Sequence, residues 1–333
     1  MASGGGRRRG PPRRRPRRRR ALGAAGGGTP DHGLPQRERP PDAGAGPGPE
    51  RLARAPRCGL RGVVAEHDRL LLTAGHGGAP GSSPHGPRGG HVPITSVIDH
   101  VAAAVPDPRV ASQRWVDELG GGTLNDASGE HFATRQIRYT GGGKLELLAP
   151  PPDDDSPDNF VRRFLDRRGA GVHHVTLKVP ELHPALREMQ AAGYEVVDVQ
   201  DTHPHWWEGF MRPSQVGGLI VQVAQSSLSA EEWAAQFGRI PEAPHREAAE
   251  LRGPLLAHPD LGVARELWGL LGGDVRDEGD RLLVAWPDSV LTVAIVHGKS
   301  AGPRGLRFAG SGTLPPDNAA GPAVLEESAR DRG

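Results

Sequence analysis

Apolar residues recur in the same order at two places along the chain. Two runs of strand length begin alike, and His100 and His174 hold matching places near their starts. Each run is followed, at nearly the same distance, by a second apolar run with one embedded polar residue, Glu146 in the first copy and Gln222 in the second. The pattern predicts two similar units, each supplying one imidazole and one oxygen ligand.

Pairing the two units would bring four ligands together, namely His100, Glu146, His174 and Gln222. Two imidazoles, a carboxylate and an amide oxygen suit one divalent ion of Zn, Ni, Co, Mn or Fe and leave coordination positions open. The alternative is that each is an ordinary strand residue, since a single strand histidine is more often a core or surface group. Recurrence of the whole set in register favours the metal site.

Strand alternation separates the two adjacent histidines. His174 shares a face with Thr176 and Lys178, whereas His173 shares the apolar face and is predicted to pack under a helix. Lys178 and Lys144 flank the ligand strands, where they would bind an anionic substrate or remain ordinary exposed lysines.

The hydrophobic periods predict an α+β fold built from paired βαβββ modules, with a third, degenerate module. In the first module we expect a strand at 95–105, a helix from 106 to 119, and strands at 132–139 and 144–149. A short helix at 158–168 bridges to the second module, which has a strand at 171–179, a helix at 181–192, and strands at 194–199, 207–212 and 218–225.

Composition divides the chain further. The expected parts are a disordered Arg/Gly/Pro-rich segment at 1–91, a two-module domain with the metal site at 92–226, a helical connector at 227–250, a degenerate third βαβββ module at 251–310, and a disordered tail at 311–333. In the third module Gly253 stands where His100 does in the first, so this copy lacks a metal histidine. The unpaired module would pack on the first two or form a homodimer.

The basic start of the chain has two interpretations. It would be a nucleic-acid arm or nuclear-type basic signal, or else upstream sequence read through from a misassigned start, with Val92 near the true one. Residues 1–20 hold ten arginines and no acid, which leaves 41 − 10 = 31 Lys plus Arg against 40 Asp plus Glu. The folded part is therefore acidic, which argues against nucleic acid as its partner.

Cysteine content and hydropathy limit the setting. The single cysteine, Cys58, permits no disulfide within the chain and fits a cytoplasmic protein. The sequence contains no apolar run of 18 or more residues, so no membrane span is expected.

The quoted motifs resemble those of the vicinal oxygen chelate superfamily. They are Ile-Asp-His-Val-Ala around His100, Leu-Glu-Leu-Leu-Ala-Pro around Glu146, Gly-Val-His-His-Val around His174, and Gly-Gly-Leu-Ile-Val-Gln-Val around Gln222. The superfamily includes glyoxalase I, methylmalonyl-CoA epimerases, extradiol ring-cleaving dioxygenases and antibiotic-binding resistance proteins. The resemblance covers residues 94–226 and is closest to the epimerases, because 209–213 resembles their last hairpin.

The resemblance implies that His100, Glu146, His174 and Gln222 are the metal ligands. Two departures from the epimerase pattern stand out. The epimerases carry an amide at the position of Glu146 and a carboxylate at that of Gln222, so the two are exchanged here. The segment 133–138, where the epimerases carry their glutamate base, contains no carboxylate.

Three functions are therefore open. The first is a metal-dependent isomerase, epimerase or lyase acting on a small substrate with two vicinal oxygens through an enolate-like intermediate. The second is an Fe(II) extradiol-type dioxygenase using His100, His174 and Glu146. The third is a metal-free protein that binds and sequesters a small molecule. Glu208, beside Trp206, is a candidate acid or base together with Glu146, although it would also suit a solvated hairpin position.

Overall fold

Two β-sheets with helices beside them make up the part of the chain that the computed structural model describes, residues 91–236 and 238–327. This confirms the predicted α+β class. The predictions for residues 1–90 and for the last six residues lie outside the described part. Within the described ranges, no helix is long and apolar enough to span a lipid bilayer.

The larger sheet has eight strands in the order β2-β3-β4-β1-β5-β8-β7-β6. The strands are β1 (Val97–Ala104), β2 (Gly122–Ser128), β3 (Ala133–Arg138), β4 (Lys144–Ala149), β5 (Gly171–Lys178), β6 (Val196–Gln200), β7 (Trp206–Met211) and β8 (Ile220–Ser226). Strands β1 and β5 pair antiparallel at the centre, and each pairs in parallel with the last strand of its own module, β4 or β8. The two repeats thus meet along the strands that carry the histidines.

Strand β2 was not predicted. Its sequence is Gly-Thr-Leu-Asn-Asp-Ala-Ser, which has too few apolar residues for the alternation of a half-buried strand. Pairing with β3 along its length holds it in the sheet.

The helices are α1 (Pro108–Ser112), a π-helical segment (Gln113–Glu118), α2 (Phe160–Arg168), α3 (Leu182–Ala191), α4 (Ala230–Gln236) and α5 (Leu261–Leu270), with a 3₁₀ turn at Thr140–Gly142. Asp107 caps the N-terminus of helix α1, since its carboxylate accepts the amide of Arg109, and Pro108 is the first helical residue. The predicted helix to Leu119 changes to π geometry around Trp115. The carbonyl of this buried tryptophan accepts the Tyr139 hydroxyl at 2.9 Å.

The smaller sheet has six strands in the order β10-β11-β12-β9-β13-β14. They are β9 (Glu250–His258), β10 (Asp274–Glu278), β11 (Arg281–Ala285), β12 (Val293–His297), β13 (Gly302–Ala309) and β14 (Val324–Glu326). The pairing repeats that of the larger sheet, since β9 and β13 are antiparallel neighbours and β13 pairs in parallel with β14. This sheet therefore repeats the central strands of the larger one.

Strand β14 corrects the prediction that the chain is disordered from residue 311. Val324 of β14 is fully buried where this strand pairs with β13. The carboxylate of Glu326 accepts hydrogen bonds from the backbone amides of Gly310, Ser311 and Gly312. A short Pro/Gly/Ala-rich segment offers little periodic signal, so these tertiary contacts were not visible in the sequence.

One hydrophobic cluster runs through both sheets. Phe308 of β13 packs against Tyr139 and Trp115, with ring centroids 5.0 and 6.1 Å apart. At a second contact the Ser96 hydroxyl donates to the carbonyl of Leu271 and accepts the indole N–H of Trp286. The C-terminal sheet is thus packed against the first module.

Candidate metal centre

Two β-bulges shape the centre of the larger sheet. In the pairing of β1 with β5, one extra residue stands at Asp99 and another at His173. A bulge locally interrupts the alternation of side chains and redirects the extra residue. Each extra residue directly precedes one of the predicted metal histidines, His100 or His174.

The first bulge sets the surroundings of Asp99. Its carboxylate lies 2.8 Å from Nδ1 of His100, accepts a hydrogen bond from Lys144 at 2.7 Å and forms an ion pair with Lys178 at 3.3 Å. Burial raises the pKa of Asp99, but the hydrogen bond to His100 and the charges of both lysines lower it, leaving this pKa well below its usual range. Both lysines are largely buried, so they are not ordinary exposed lysines.

The second bulge brings His173 to His174. Their Nδ1 atoms are 2.9 Å apart, which corrects the prediction from strict alternation that they face opposite ways. His173 also packs under helix α2 as predicted, with its ring 4.8 Å from that of Phe164 and 6.2 Å from that of Phe160.

His100, Glu146 and His174 come together on one side of the sheet. Nε2 of His100 and Nε2 of His174 each lie 4.0 Å from a carboxylate oxygen of Glu146, and one ligand atom from each residue falls within 4.8 Å of the others. Metal bonds of about 2.0–2.2 Å separate two ligands of one ion by up to about 4 Å. The three side chains therefore fit a single divalent ion with only small adjustments.

Gln222 reaches this group through Thr176. The Thr176 hydroxyl lies 2.9 Å from Nε2 of His100 and donates to Oε1 of Gln222 at 2.5 Å. The Gln222 amide donates in turn to Glu208 at 2.6 Å, and Glu208 also accepts the indole N–H of Trp206 at 2.5 Å. All of the predicted site residues thus belong to one connected set, in which Glu208 is linked to His100 through Gln222 and Thr176.

Two amides beside Glu146 were not predicted. The Gln136 amide donates to Glu146 at 3.0 Å, and its oxygen accepts from Asn125 at 3.3 Å. Each carboxylate of the site therefore has an amide donor: Gln136 for Glu146, and Gln222 for Glu208. This pairing gives a physical reason for the exchange of amide and carboxylate noted in the sequence, since a carboxylate at position 222 would face Glu208. In the sequence, the only signal for the role of Gln136 is its polar side chain within strand β3.

A helical segment contacts both edges of the site. Glu231 of α4 pairs with Arg138 of β3 at 2.8 Å. Trp233 stacks on His203 with ring centroids 5.7 Å apart and donates its indole N–H to Ser226 at the end of β8. Helix α4 therefore joins the first module to the second beside the lysine end of the site.

Comparison with known proteins places this geometry in a family. Residues 99–208 match the family model of the Glyoxalase/Bleomycin resistance protein/Dioxygenase superfamily. The fold is similar to that of a hypothetical protein from Staphylococcus aureus: at 11% identity the match covers 70% of this chain and 99% of that chain, with a TM-score of 0.50. Residues 99–208 therefore form a domain similar to those of this superfamily, as the sequence motifs predicted.

Two of the relatives that the chain matches are methylmalonyl-CoA epimerases. The chain is 27% identical to the mitochondrial enzyme of Mus musculus over 134 residues, which are 39% of this chain and 72% of that protein. It is 24% identical to the mitochondrial enzyme of Dictyostelium discoideum over 133 residues, which are 38% of this chain and 77% of that protein.

Proposed function

We propose that this chain is a metal-dependent isomerase, epimerase or lyase acting on a small substrate with two vicinal oxygens. The observation that carries the proposal is the placement of His100, Glu146 and His174, with each imidazole Nε2 at 4.0 Å from a Glu146 oxygen. When bound, a divalent Zn, Ni, Co, Mn or Fe ion would act as a Lewis acid and ease removal of a proton beside a carbonyl. Similarity to epimerases supports this reaction class.

In this proposal Glu208 moves the proton. Hydrogen bonds from Trp206 and Gln222 orient its carboxylate, and position 208 takes the role for which the segment 133–138 has no carboxylate. A positioned carboxylate is an effective general base when the carbon acid is activated. Glu146, also predicted to be catalytic, serves here as the carboxylate ligand, held in place by Gln136.

The division of labour along the chain is also a proposal. Residues 92–226 would hold the metal and substrate, 227–250 would connect, and the C-terminal module would support the first module. A homodimer and a cytoplasmic location stay predictions.

Metal content tests the proposal. The full chain would be purified without a metal-binding tag, reconstituted with each candidate ion, and analysed by elemental mass spectrometry. We expect about one ion per chain, because the site offers ligands for one, and loss of that ion in His100→Ala/His174→Ala. A wild-type protein that takes up no ion would overturn the proposal and leave a metal-free binding protein.

A matched control comes from the smaller sheet. His258 and His297 are register partners on β9 and β12, so they form a second histidine pair on neighbouring strands. The His258→Ala/His297→Ala protein is expected to keep its metal, which would show that the loss is specific to the site.

The second candidate is an Fe(II) dioxygenase. Two histidines and one carboxylate with open positions are the ligand set of non-haem Fe(II) oxygenases, and His100, His174 and Glu146 supply that set. Oxygen uptake by the iron-loaded protein with a catechol would favour this candidate, whereas epimerisation of methylmalonyl-CoA without oxygen uptake would favour the first.

A further inference from the structure

Each of the two bulged residues of the central strands contacts the histidine that follows it. Asp99 precedes His100 and His173 precedes His174, and each extra residue places a side-chain atom within 2.9 Å of the Nδ1 of the following histidine. The same device therefore occurs in both modules, on the two strands that contribute imidazoles.

The contact at His100 determines which ring nitrogen is available. An ionised carboxylate only accepts hydrogen bonds, so Asp99 holds a proton on Nδ1 of His100. Nε2, 4.0 Å from Glu146, is then the nitrogen left for a metal, which would replace its contact with the Thr176 hydroxyl at 2.9 Å. A ring oriented in this way needs no tautomer change to bind a metal.

At His174 the hydrogen-bonding partner is the imidazole of His173 and not a carboxylate. Two Nδ1 atoms 2.9 Å apart need one donor and one acceptor. His173 is held under α2 by Phe160 and Phe164, so its ring presents a fixed Nδ1. When that atom accepts, His174 donates from Nδ1 and turns its Nε2 lone pair toward Glu146, which lies 4.0 Å away.

We propose that Asp99 and His173 are positioning residues that fix the Nδ1-protonated forms of His100 and His174 and so prepare both rings to bind the metal. The inference rests on the proposed metal site. Partners of this kind orient metal-binding histidines and raise their basicity, and their loss costs about 10- to 100-fold in metal affinity. Asp99 acts with a charge that Lys144 and Lys178 hold in place, whereas His173 acts through hydrogen bonding alone.

The test is Zn²⁺ affinity of the full chain, measured by competition with a chromophoric chelator. Asp99→Leu and His173→Phe remove the acceptor, and each is expected to weaken binding about 10-fold or more. Asp99→Asn and His173→Gln keep an oxygen acceptor, so they are expected to recover much of the affinity. The Co²⁺ absorption spectrum should shift in the Leu and Phe variants and return in the Asn and Gln variants, which a purely structural role would not produce.

Asp126→Asn is the matched control. Asp126 is also partly buried and paired with a cation, Arg135, which in turn bonds Ser112 of α1 away from the histidines. The Zn²⁺ affinity of Asp126→Asn should equal that of the wild type.

Metal binding by the wild type together with unchanged affinity in Asp99→Leu and His173→Phe would overturn this inference and leave the proposed function standing. Absence of metal from the wild type would overturn both. Should Asp99→Leu or His173→Phe fail to fold, Asp99→Asn and His173→Gln decide the matter: Zn²⁺ affinity and a Co²⁺ spectrum close to the wild type would support the inference, and loss of both despite the retained acceptor would overturn it.

Discussion

Arg307 lies opposite Gly253 in the pairing of β9 with β13, at the place that Thr176 and His100 occupy in the larger sheet. The equivalence follows from the bulges, because β9 and β13 also carry one extra residue each, directly before Gly253 and directly before Gly305. Gly253 thus corresponds to His100 and Gly305 to His174. The strand register of both sheets agrees with the sequence alignment that put Gly253 at the position of His100.

The other two ligand positions are apolar in the smaller sheet. Register places Ala294 at the position of Glu146 and Leu325 at that of Gln222. The guanidinium of Arg307 donates instead to the Thr292 carbonyl at 2.8 Å and to its hydroxyl at 2.6 Å, and pairs with Glu327 at 2.7 Å. The Arg307 guanidinium thus holds the C-terminal module together at the place where the larger sheet gathers the proposed metal ligands.

Removal of the Arg307 side chain should therefore be costly. Arg307 is buried and Glu327 is nearly so, and breaking a buried pair by deleting one partner costs about 3–5 kcal/mol. We expect Arg307→Met to lower the free energy of unfolding by about this amount in urea titrations. Arg276→Met is the control, because the exposed pair of Arg276 with Asp274 contributes about 1 kcal/mol or less. Equal losses in the two variants would contradict the role assigned to Arg307.

Gly253 should tolerate no side chain. Its φ of +115° is unfavourable for other residues, and an added Cβ would lie 2.2 Å from the carbonyl oxygen of Thr292. Gly253→Ala is expected to destabilise the protein by more than about 1–3 kcal/mol, the usual cost of backbone strain, because the clash adds to that strain. Gly269→Ala in helix α5 meets nothing within 4 Å and should be neutral or stabilising by up to about 1 kcal/mol. Thermal unfolding of both variants decides the matter.

The amide of Gln222 should be needed beside Glu208. Gln222→Glu replaces a donor 2.6 Å from the Glu208 carboxylate by a second carboxylate, so the metal-free protein should lose roughly 1–3 kcal/mol. Added Zn²⁺ should raise its melting temperature more than that of the wild type, because a metal can bind the new carboxylate. Gln222→Met removes the donor without adding charge and serves as the comparison. A Gln222→Glu protein as stable as the wild type without metal would refute the pairing of each carboxylate with an amide.

The sequence was sufficient for the repeat and the family but not for the local geometry. His100 and His174 were recognisable because equivalent strands carry them in equal register. The bulges at Asp99 and His173 were not, since one extra residue leaves the apolar pattern of its strand almost unchanged. Alternation therefore assigned His173 to the wrong side of His174. The hydrogen bond from Gln136 to Glu146 joins neighbouring strands, so it became visible only once β3 and β4 were in register.

Glu208 should be required for proton transfer and not for metal binding. It contacts Gln222 and Trp206, whereas Glu146 lies against the histidines. We expect Glu208→Gln to keep about one metal ion per chain, since it removes none of the four proposed ligands, but to slow proton exchange about 10²- to 10⁴-fold, the usual contribution of a general base. Deuterium uptake from heavy water into methylmalonyl-CoA, followed by mass spectrometry, measures this step. Glu195→Gln is the control, because the exposed Glu195 pairs with Arg212. Metal loss in Glu208→Gln would make Glu208 a ligand instead, and unchanged exchange would assign the base to another group.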